Sequence, residues 1–249
     1  MELATNIFLL LLGISILVWG ANKFVDHASV IAKHMGISDL VIGLTLIAFG
    51  TSAPEIFVGI SSIINQNEEI ALGTAIGSNI SNIALIFGVS CLYLTGPSKT
   101  QLWNFVPFGL SVILLGLTLV DGKISFSESI GFVGILMIFM FVLFKTDGLA
   151  EEDSLDSSEF GHSLFVSLIG LVALIAGANI AVIYAENTAL LLGVPQLIIG
   201  LTIIALGTSL PELAATIVAL RKGKHQMVVG NIIGSNVFNL VFIIPMIGF

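Results

Sequence analysis

The feature that most restricts the fold of this chain is a helix-breaking hexapeptide that occurs twice within apolar segments. Residues 50–55 read GTSAPE in an apolar run at 40–64, and residues 207–212 read GTSLPE in a second run at 195–220. Proline removes one helical hydrogen bond and clashes with the preceding turn. An ionised carboxylate near the centre of a bilayer costs about 2.5–3.5 kcal/mol on insertion scales. Each hexapeptide therefore predicts a broken membrane helix that carries a functional carboxylate, Glu55 or Glu212.

The composition excludes a soluble globule. Hydrophobic residues make up 56% of the chain, charged residues make up 10%, and the mean hydropathy is +1.10. A water-facing surface needs far more charge than this. Runs of about 20 apolar residues, long enough for a helix that crosses the bilayer, occur at 7–25, 40–64, 70–94, 103–120, 124–144, 163–185, 195–220 and 226–249. The sequence predicts an all-α integral membrane protein with about eight transmembrane helices, of which helices two and seven are broken.

The basic residues indicate an orientation, because Lys and Arg in short loops favour the cytoplasmic side. With the N-terminus outside, only Lys123 of the eight basic residues lies on the external side. The other seven lie at the inner side: Lys23, Lys33, Lys99, Lys145, Arg221, Lys222 and Lys224. We expect a multi-pass protein of the plasma (inner) membrane with its N-terminus outside.

An internal repeat occurs at one offset of 157 residues without a gap. Residues 38–89 and 195–246 share 20 identities in 52 positions. Equivalent spans are five apart, and because five is odd, the second copy must cross the membrane upside down relative to the first. Inverted repeats with broken helices are typical of secondary transporters, which hold their substrate near the bilayer midplane and alternate access around it.

The repeat divides the chain into three parts. Residues 1–146 form a first repeat of five helices, and residues 163–249 form a second, inverted repeat with three. Residues 147–162 are predicted to be a solvated, acidic cytoplasmic linker, since they contain six acidic residues without the pattern of an EF-hand. Spans four and five have no counterpart in the second copy, because an offset of 157 would put those counterparts beyond Phe249.

The inverted copies predict one site where both hexapeptides meet at the same depth. Glu55 and Glu212 would face each other, and the surrounding side chains would be Asn82, Asn239, Thr51, Ser52, Thr208, Ser209, Ser78 and Ser235. All of these side chains offer oxygen, which favours Ca²⁺ or Na⁺ over a transition metal. Two carboxylates match the charge of one Ca²⁺. Without a cation they would repel each other and tend to hold a proton, so an unloaded carrier should resist reorientation, as exchange requires.

These motifs resemble a known family. GTSAPE with GSNISN at 77–82, repeated as GTSLPE with GSNVFN at 234–239, resembles the two alpha-repeats of the calcium/cation antiporter superfamily, in its prokaryotic sodium/calcium exchanger branch. The resemblance implies ten transmembrane helices, of which this chain would lack the last two. It also implies electrogenic exchange of Na⁺ for Ca²⁺ and four ion sites built by helices two, three, seven and eight.

The resemblance also implies a ligand set. The two carboxylates would be shared central ligands, with Ser52, Thr51, Ser78 and the Ala48 carbonyl on one flank and Ser209, Thr208, Ser235 and the Ala205 carbonyl on the other. The expected partners are Ca²⁺, Na⁺ and the lipid bilayer, with no cofactor, no nucleic acid and no enzymatic activity. Some relatives, including potassium-dependent ones, have Asp at the position of Asn239, so Asn here argues against a K⁺ requirement.

Three alternatives stay open at this point. A pair of Glu side chains can carry protons as readily as Na⁺, which leaves a Ca²⁺/H⁺ exchanger. The short second copy leaves a truncated, non-transporting fragment of the family. An intramembrane aspartyl protease also needs two acids on facing helices, but here both acids are Glu, each follows a proline, and the sequence has no Gly-x-Gly-Asp element.

Overall fold

The chain is helical throughout the part that the computed structural model describes, namely residues 2–93, 101–120, 122–146, 157–199, 203 and 205–248. In chain order the helices are α1 (Glu2–His34), α2 (Asp39–Thr51), α3 (Ala53–Ile64), α4 (Glu68–Cys91), α5 (Leu102–Thr118), α6 (Phe126–Thr146), α7 (Ser157–Leu191), α8 (Gln196–Ile199), α9 (Ala205–Gly207), α10 (Leu210–Arg221) and α11 (His225–Gly248). Lys99, and all of the predicted acidic linker that precedes α7, lie outside the described residues.

The described parts of the apolar runs are mainly helical. Five helices, α1, α4, α6, α7 and α11, are long and apolar enough to cross a membrane, and α2 and α3 together make a sixth candidate. The predicted class of an all-α membrane protein is therefore confirmed. Length and composition support five or six membrane crossings among the described residues, so the expected total of eight transmembrane helices stays a prediction.

The hexapeptide in the second span ends one helix and begins the next. α2 ends at Thr51, Ser52 lies at the break, and α3 continues at an angle of 49°. Pro54 lies in the first turn of α3, where a missing N–H leaves no helical hydrogen bond unmade. The second hexapeptide repeats this arrangement, because α9 ends at Gly207 and Pro211 lies in the first turn of α10. The prediction that helices two and seven are broken is confirmed.

Among the residues that the structure describes, α2, α4 and α11 contain wider, π-helical turns. These turns are Gly43–Ile47 in α2, Asn82–Phe87 in α4 and Asn239–Ile243 in α11. Such turns are rare and occur frequently at functional sites. Two of them begin at the predicted ligands Asn82 and Asn239, which are equivalent positions in the two copies.

The two longest helices, α1 and α7, pack against each other in antiparallel fashion along their whole length. Glycines make the close approach possible: the backbone of α7 lies against Gly13 and Gly20, and the backbone of α1 lies against Gly170 and Gly177. Small residues allow this contact between helices in a membrane. The glycine pairs are related by the same offset of 157, so the internal repeat extends to the first helix.

α11 forms the centre of the structure, and almost every residue from Met227 to Ile244 is buried. Gly230 and Gly234 bring its backbone against that of α2. The Phe238 ring contacts Phe139 of α6 edge-on. This packing of a second-copy helix against first-copy helices is what brings the halves of the predicted site together.

Candidate cation-binding site

The two carboxylates of the hexapeptides lie together in the interior of the protein. Glu55 is 0% exposed and Glu212 is 1% exposed. Ser52, of the first hexapeptide, donates a hydrogen bond from Oγ to Oε1 of Glu212 across 3.0 Å. The inverted copies therefore meet at these residues, as the repeat predicted.

Many polar atoms at this meeting point have no hydrogen-bond partner among the described residues. They include both carboxylate oxygens of Glu55, Oε2 of Glu212, Oγ of Ser209 and the whole side-chain amides of Asn82 and Asn239. A buried polar atom without a partner costs about 1–3 kcal/mol, and most buried polar atoms in native proteins have one. Such a cluster of buried oxygens fits a site whose missing partner is a cation.

One flank of the site is formed across the two copies. Oγ of Ser235, on α11, lies 3.4 Å from the carbonyl oxygen of Ala48 on α2. Thr51, one turn further along α2, donates from Oγ1 to the carbonyl oxygen of Ile47 across 3.0 Å. The resemblance had grouped Ser235 with the other flank. Because α11 packs along α2, the structure instead brings Ser235 beside Ala48 and Thr51.

The remaining predicted residues lie around the second break. Ser78 on α4 and Ser209 before α10 are buried, and Thr208 is half-buried between α9 and α10. Ala205 is the first residue of α9. The described contacts do not join these four residues to one another by side-chain hydrogen bonds.

Sequence reasoning missed two buried residues that contact this site. Asn231 on α11 lies within 3.4 Å of the hydroxyls of Thr51 and Ser235, and it donates from Nδ2 to Oγ1 of Thr216 on α10 across 3.1 Å. Identity between the two copies could not reveal them, because Thr74 and Gly59 occupy the equivalent positions. The available signal was an asparagine one helical turn before Ser235, on the same face of α11.

The chemistry of the site suits a hard cation. Carboxylate, hydroxyl, amide and carbonyl oxygens are the ligands of Ca²⁺ and similar ions. The described residues contain no group of three or more His, Cys, Asp or Glu side chains that could hold a metal ion, so a cation at this site would depend on neutral oxygens beside the two carboxylates. Two carboxylates and several neutral oxygens together form a donor set that could bind such a cation.

Comparison with known proteins agrees with this assignment. The family model described as "Sodium/calcium exchanger protein" matches residues 5–145 and 162–249. The putative antiporter CaxA of Alkalimonas amylolytica is 37% identical over 97% of this chain and 79% of its own length. The sodium/calcium exchanger MaX1 of Methanosarcina acetivorans is 33% identical over 99% of this chain and 83% of its own length.

A solved structure has the same fold. The sodium/calcium exchanger from Methanococcus jannaschii superimposes with a TM-score of 0.85 and is 30% identical, and the match covers 99% of this chain and 81% of that one. The chain thus corresponds to about four fifths of these relatives. The family model, the two relatives and the shared fold agree with the resemblance found in the repeated motifs. The chain belongs to the sodium/calcium exchanger protein family.

Proposed function

We propose that this cation antiporter exchanges Na⁺ for Ca²⁺ by alternating access around the site between the two hexapeptides. The observation that carries the proposal is the pair of buried carboxylates, Glu55 and Glu212, which no described basic side chain neutralises. Their combined charge matches that of one Ca²⁺. A site that can bind either Ca²⁺ or Na⁺, and that is costly to leave without a cation, favours exchange over a leak of one ion.

The proposed ligands are the twelve residues that the sequence singled out. Glu55 and Glu212 are central, and Asn82 and Asn239 add amide oxygens from the two π-helical turns. The hydroxyls of Thr51, Ser52, Ser78, Thr208, Ser209 and Ser235 and the carbonyls of Ala48 and Ala205 complete the set.

Flux into vesicles tests the exchange. The full chain is reconstituted into liposomes loaded with Na⁺ and diluted into ⁴⁵Ca²⁺ with either choline or Na⁺ outside. We expect Ca²⁺ uptake only when Na⁺ is lower outside than inside. Uptake driven by a pH gradient alone would identify a Ca²⁺/H⁺ exchanger. Absence of uptake under both gradients, with correctly folded protein, would support the alternative of a non-transporting fragment.

We further propose that the protein lies in the plasma (inner) membrane with its N-terminus outside. The charge bias of the loops supports this orientation. The end of the bundle that carries the loop between α10 and α11 would then be cytoplasmic. The same end includes ion pairs from Lys222 to Asp26 and from Lys224 to Asp39.

A further inference from the structure

Asn231 is the buried side chain at the site that neither the internal repeat nor the family resemblance assigns. It is 1% exposed and lies on α11, one helical turn before Ser235. Its Oδ1 is 3.3 Å from Oγ1 of Thr51 and 3.4 Å from Oγ of Ser235. It thus contacts two of the proposed ligands on the flank that contains the Ala48 carbonyl.

Thr216 holds the amide of Asn231 in this orientation. Nδ2 of Asn231 donates to Oγ1 of Thr216 across 3.1 Å, and Thr216 is itself buried. An amide nitrogen can only donate, and an amide oxygen can only accept. With Nδ2 engaged by Thr216, the oxygen faces the two hydroxyls as an acceptor.

An acceptor at this place matters because a hydroxyl that binds a cation must turn its proton away from it. The Ser235 hydroxyl has two acceptors within reach, the carbonyl of Ala48 and Oδ1 of Asn231, each at 3.4 Å. The Ala48 carbonyl is itself a proposed ligand, so a proton directed at it would compete with the cation. Directing the proton to Asn231 leaves both the hydroxyl oxygen and the carbonyl available.

The other flank has no such residue. At the offset of 157, Thr74 stands in the place of Asn231 and Gly59 in the place of Thr216. The Thr74 hydroxyl donates to the carbonyl of Ile70 in its own helix, across 2.8 Å. Gly59 has no side chain to hold an amide. The two flanks, which are alike in their proposed ligands, therefore differ in what orients those ligands.

We propose that Asn231, held by Thr216, is a positioning residue that orients the hydroxyl of Ser235 and thereby sets the Na⁺ affinity of the flank that Ser235 shares with Ala48 and Thr51. The inference rests on the proposed function. Hydroxyl and carbonyl oxygens without a carboxylate of their own favour a monovalent cation, whereas Ca²⁺ depends more on the charge of Glu55 and Glu212. Loss of Asn231 should weaken Na⁺ binding much more than Ca²⁺ binding.

Ion-dependent thermal stabilisation of the purified full chain tests this without any need for transport, since a ligand that binds the folded state raises its melting temperature. Asn231→Leu keeps the size of the side chain but removes the acceptor, and it should raise the half-saturating Na⁺ concentration about tenfold, as expected for one lost hydrogen bond. The half-saturating Ca²⁺ concentration should change less than about twofold. Thr216→Val should shift the Na⁺ value in the same direction by a smaller factor.

Two further variants make the comparison specific. Thr74→Val, at the equivalent position of the first copy, removes a hydroxyl that bonds only to its own helix and should leave both half-saturating concentrations unchanged. Asn231→Asp retains an acceptor oxygen and should keep Na⁺ binding well above the level of Asn231→Leu.

The outcomes are distinct. The role of Asn231 would be overturned if Asn231→Leu shifted the half-saturating concentrations of Na⁺ and Ca²⁺ equally, or shifted neither. It would also be overturned if the wild-type protein did not bind Na⁺. If Asn231→Leu does not fold, an unchanged Na⁺ response in Thr216→Val overturns it instead. Wild-type protein that binds both ions but shows no Na⁺-driven Ca²⁺ flux would refute the proposed exchange while leaving the positioning role to be judged from binding.

Discussion

At the scale of single residues, Glu55 carries the least satisfied carboxylate of the described site. Both of its oxygens are buried without a hydrogen-bond partner, whereas Oε1 of Glu212 accepts from Ser52. A buried carboxyl group without a hydrogen-bond partner costs free energy whether it is ionised or holds a proton. We therefore expect Glu55 to lower the stability of the cation-free protein while it contributes to cation binding. Such a trade between stability and function is common at functional sites.

This relation predicts opposite effects of Glu55→Gln on stability and on transport. Replacing a buried carboxyl group that lacks a partner with a neutral amide should raise the melting temperature of the cation-free protein by a few degrees, since about 1 kcal/mol corresponds to about 2–4 °C for a chain of this size. The same change should abolish stabilisation by Ca²⁺ and Na⁺-driven ⁴⁵Ca²⁺ uptake. Differential scanning fluorimetry and vesicle flux measure the two effects.

The matched control is Glu68→Gln, which neutralises an exposed carboxylate at the start of α4. It should alter neither the melting temperature nor the response to Ca²⁺ appreciably, because exposed charges contribute little. Retention of Ca²⁺-dependent stabilisation in Glu55→Gln would remove Glu55 from the site.

Residue identity between the two copies is enough to predict the carboxylates, the hydroxyls and the two π-turn asparagines as candidate ligands. It could not predict Asn231 or Thr216, because their equivalents are a threonine and a glycine. It also could not predict that Ser235 lies beside Ala48, since that contact depends on how α11 packs against α2. A constant offset identifies equivalent residues in the two copies, but it does not show which helices of the two copies pack against each other.

At the scale of elements, the contact between α1 and α7 depends on glycine. A Cβ atom at Gly20 would overlap backbone atoms of Leu174 and Gly170. Neighbouring backbone cannot move aside as a flexible side chain can, so the helices would have to separate. Because the two helices contact each other over their whole length, separation at one point disturbs much of the interface.

We therefore expect Gly20→Ala to destabilise the protein by about 1–3 kcal/mol, as overpacking usually does. The measurement is the melting temperature of the detergent-solubilised protein without added cations, so that ion binding does not contribute. The cost at Gly20 should exceed the small gain in helix propensity that alanine brings.

Gly161→Ala on α7 provides the control. A Cβ atom there meets nothing within 4 Å among the described residues, so only the helix propensity changes and the melting temperature should stay the same or rise slightly. Equal melting temperatures for Gly20→Ala and Gly161→Ala would show that the close contact at Gly20 is not required.

The breaks in helices were predictable where proline marks them, because its missing N–H restricts it to the first turn of a helix. The π-helical turns were not predictable. No proline marks the stretches Gly43–Ile47 or Asn239–Ile243, and both stretches lie mainly in the packed core, where tertiary contacts decide the backbone.

At the scale of the whole molecule, the inverted repeat and the charge bias together predict which end faces which compartment. Arg221 lies at the end of α10, and Asn67 lies in the turn before α4; both are exposed. In the proposed orientation Arg221 is cytoplasmic and Asn67 is external. The two positions therefore report on opposite sides of the membrane.

Cysteine labelling in whole cells tests this arrangement. The exposed native thiol of Cys91 is first replaced by Ser, and Arg221→Cys and Asn67→Cys are then introduced singly. A membrane-impermeant maleimide should label Asn67→Cys in intact cells and Arg221→Cys only after permeabilisation. The opposite pattern would reverse the topology, and labelling of both positions in intact cells would contradict the number of crossings between them.

The overall architecture was the most predictable level. Apolar runs predicted helices, and one ungapped offset predicted two related halves, because both depend on the sequence alone. The close contact between α1 and α7 was not predicted, although Gly20–Asn22 and Gly177–Asn179 read GAN in both copies. The glycines in these segments allow the two helices to pack closely, and the sequence alone does not show which helices pack together.

The π-helical turns have a consequence for how relatives of this chain should be aligned. A π turn holds about one residue more than an α turn, so deleting one residue from Asn82–Phe87 or Asn239–Ile243 restores a regular helix without moving its ends far apart. In a homologue, a one-residue gap within either stretch would then mark a change of helix type next to the equivalent of Asn82 or Asn239. Such a gap would indicate a real difference in backbone structure rather than a misaligned sequence.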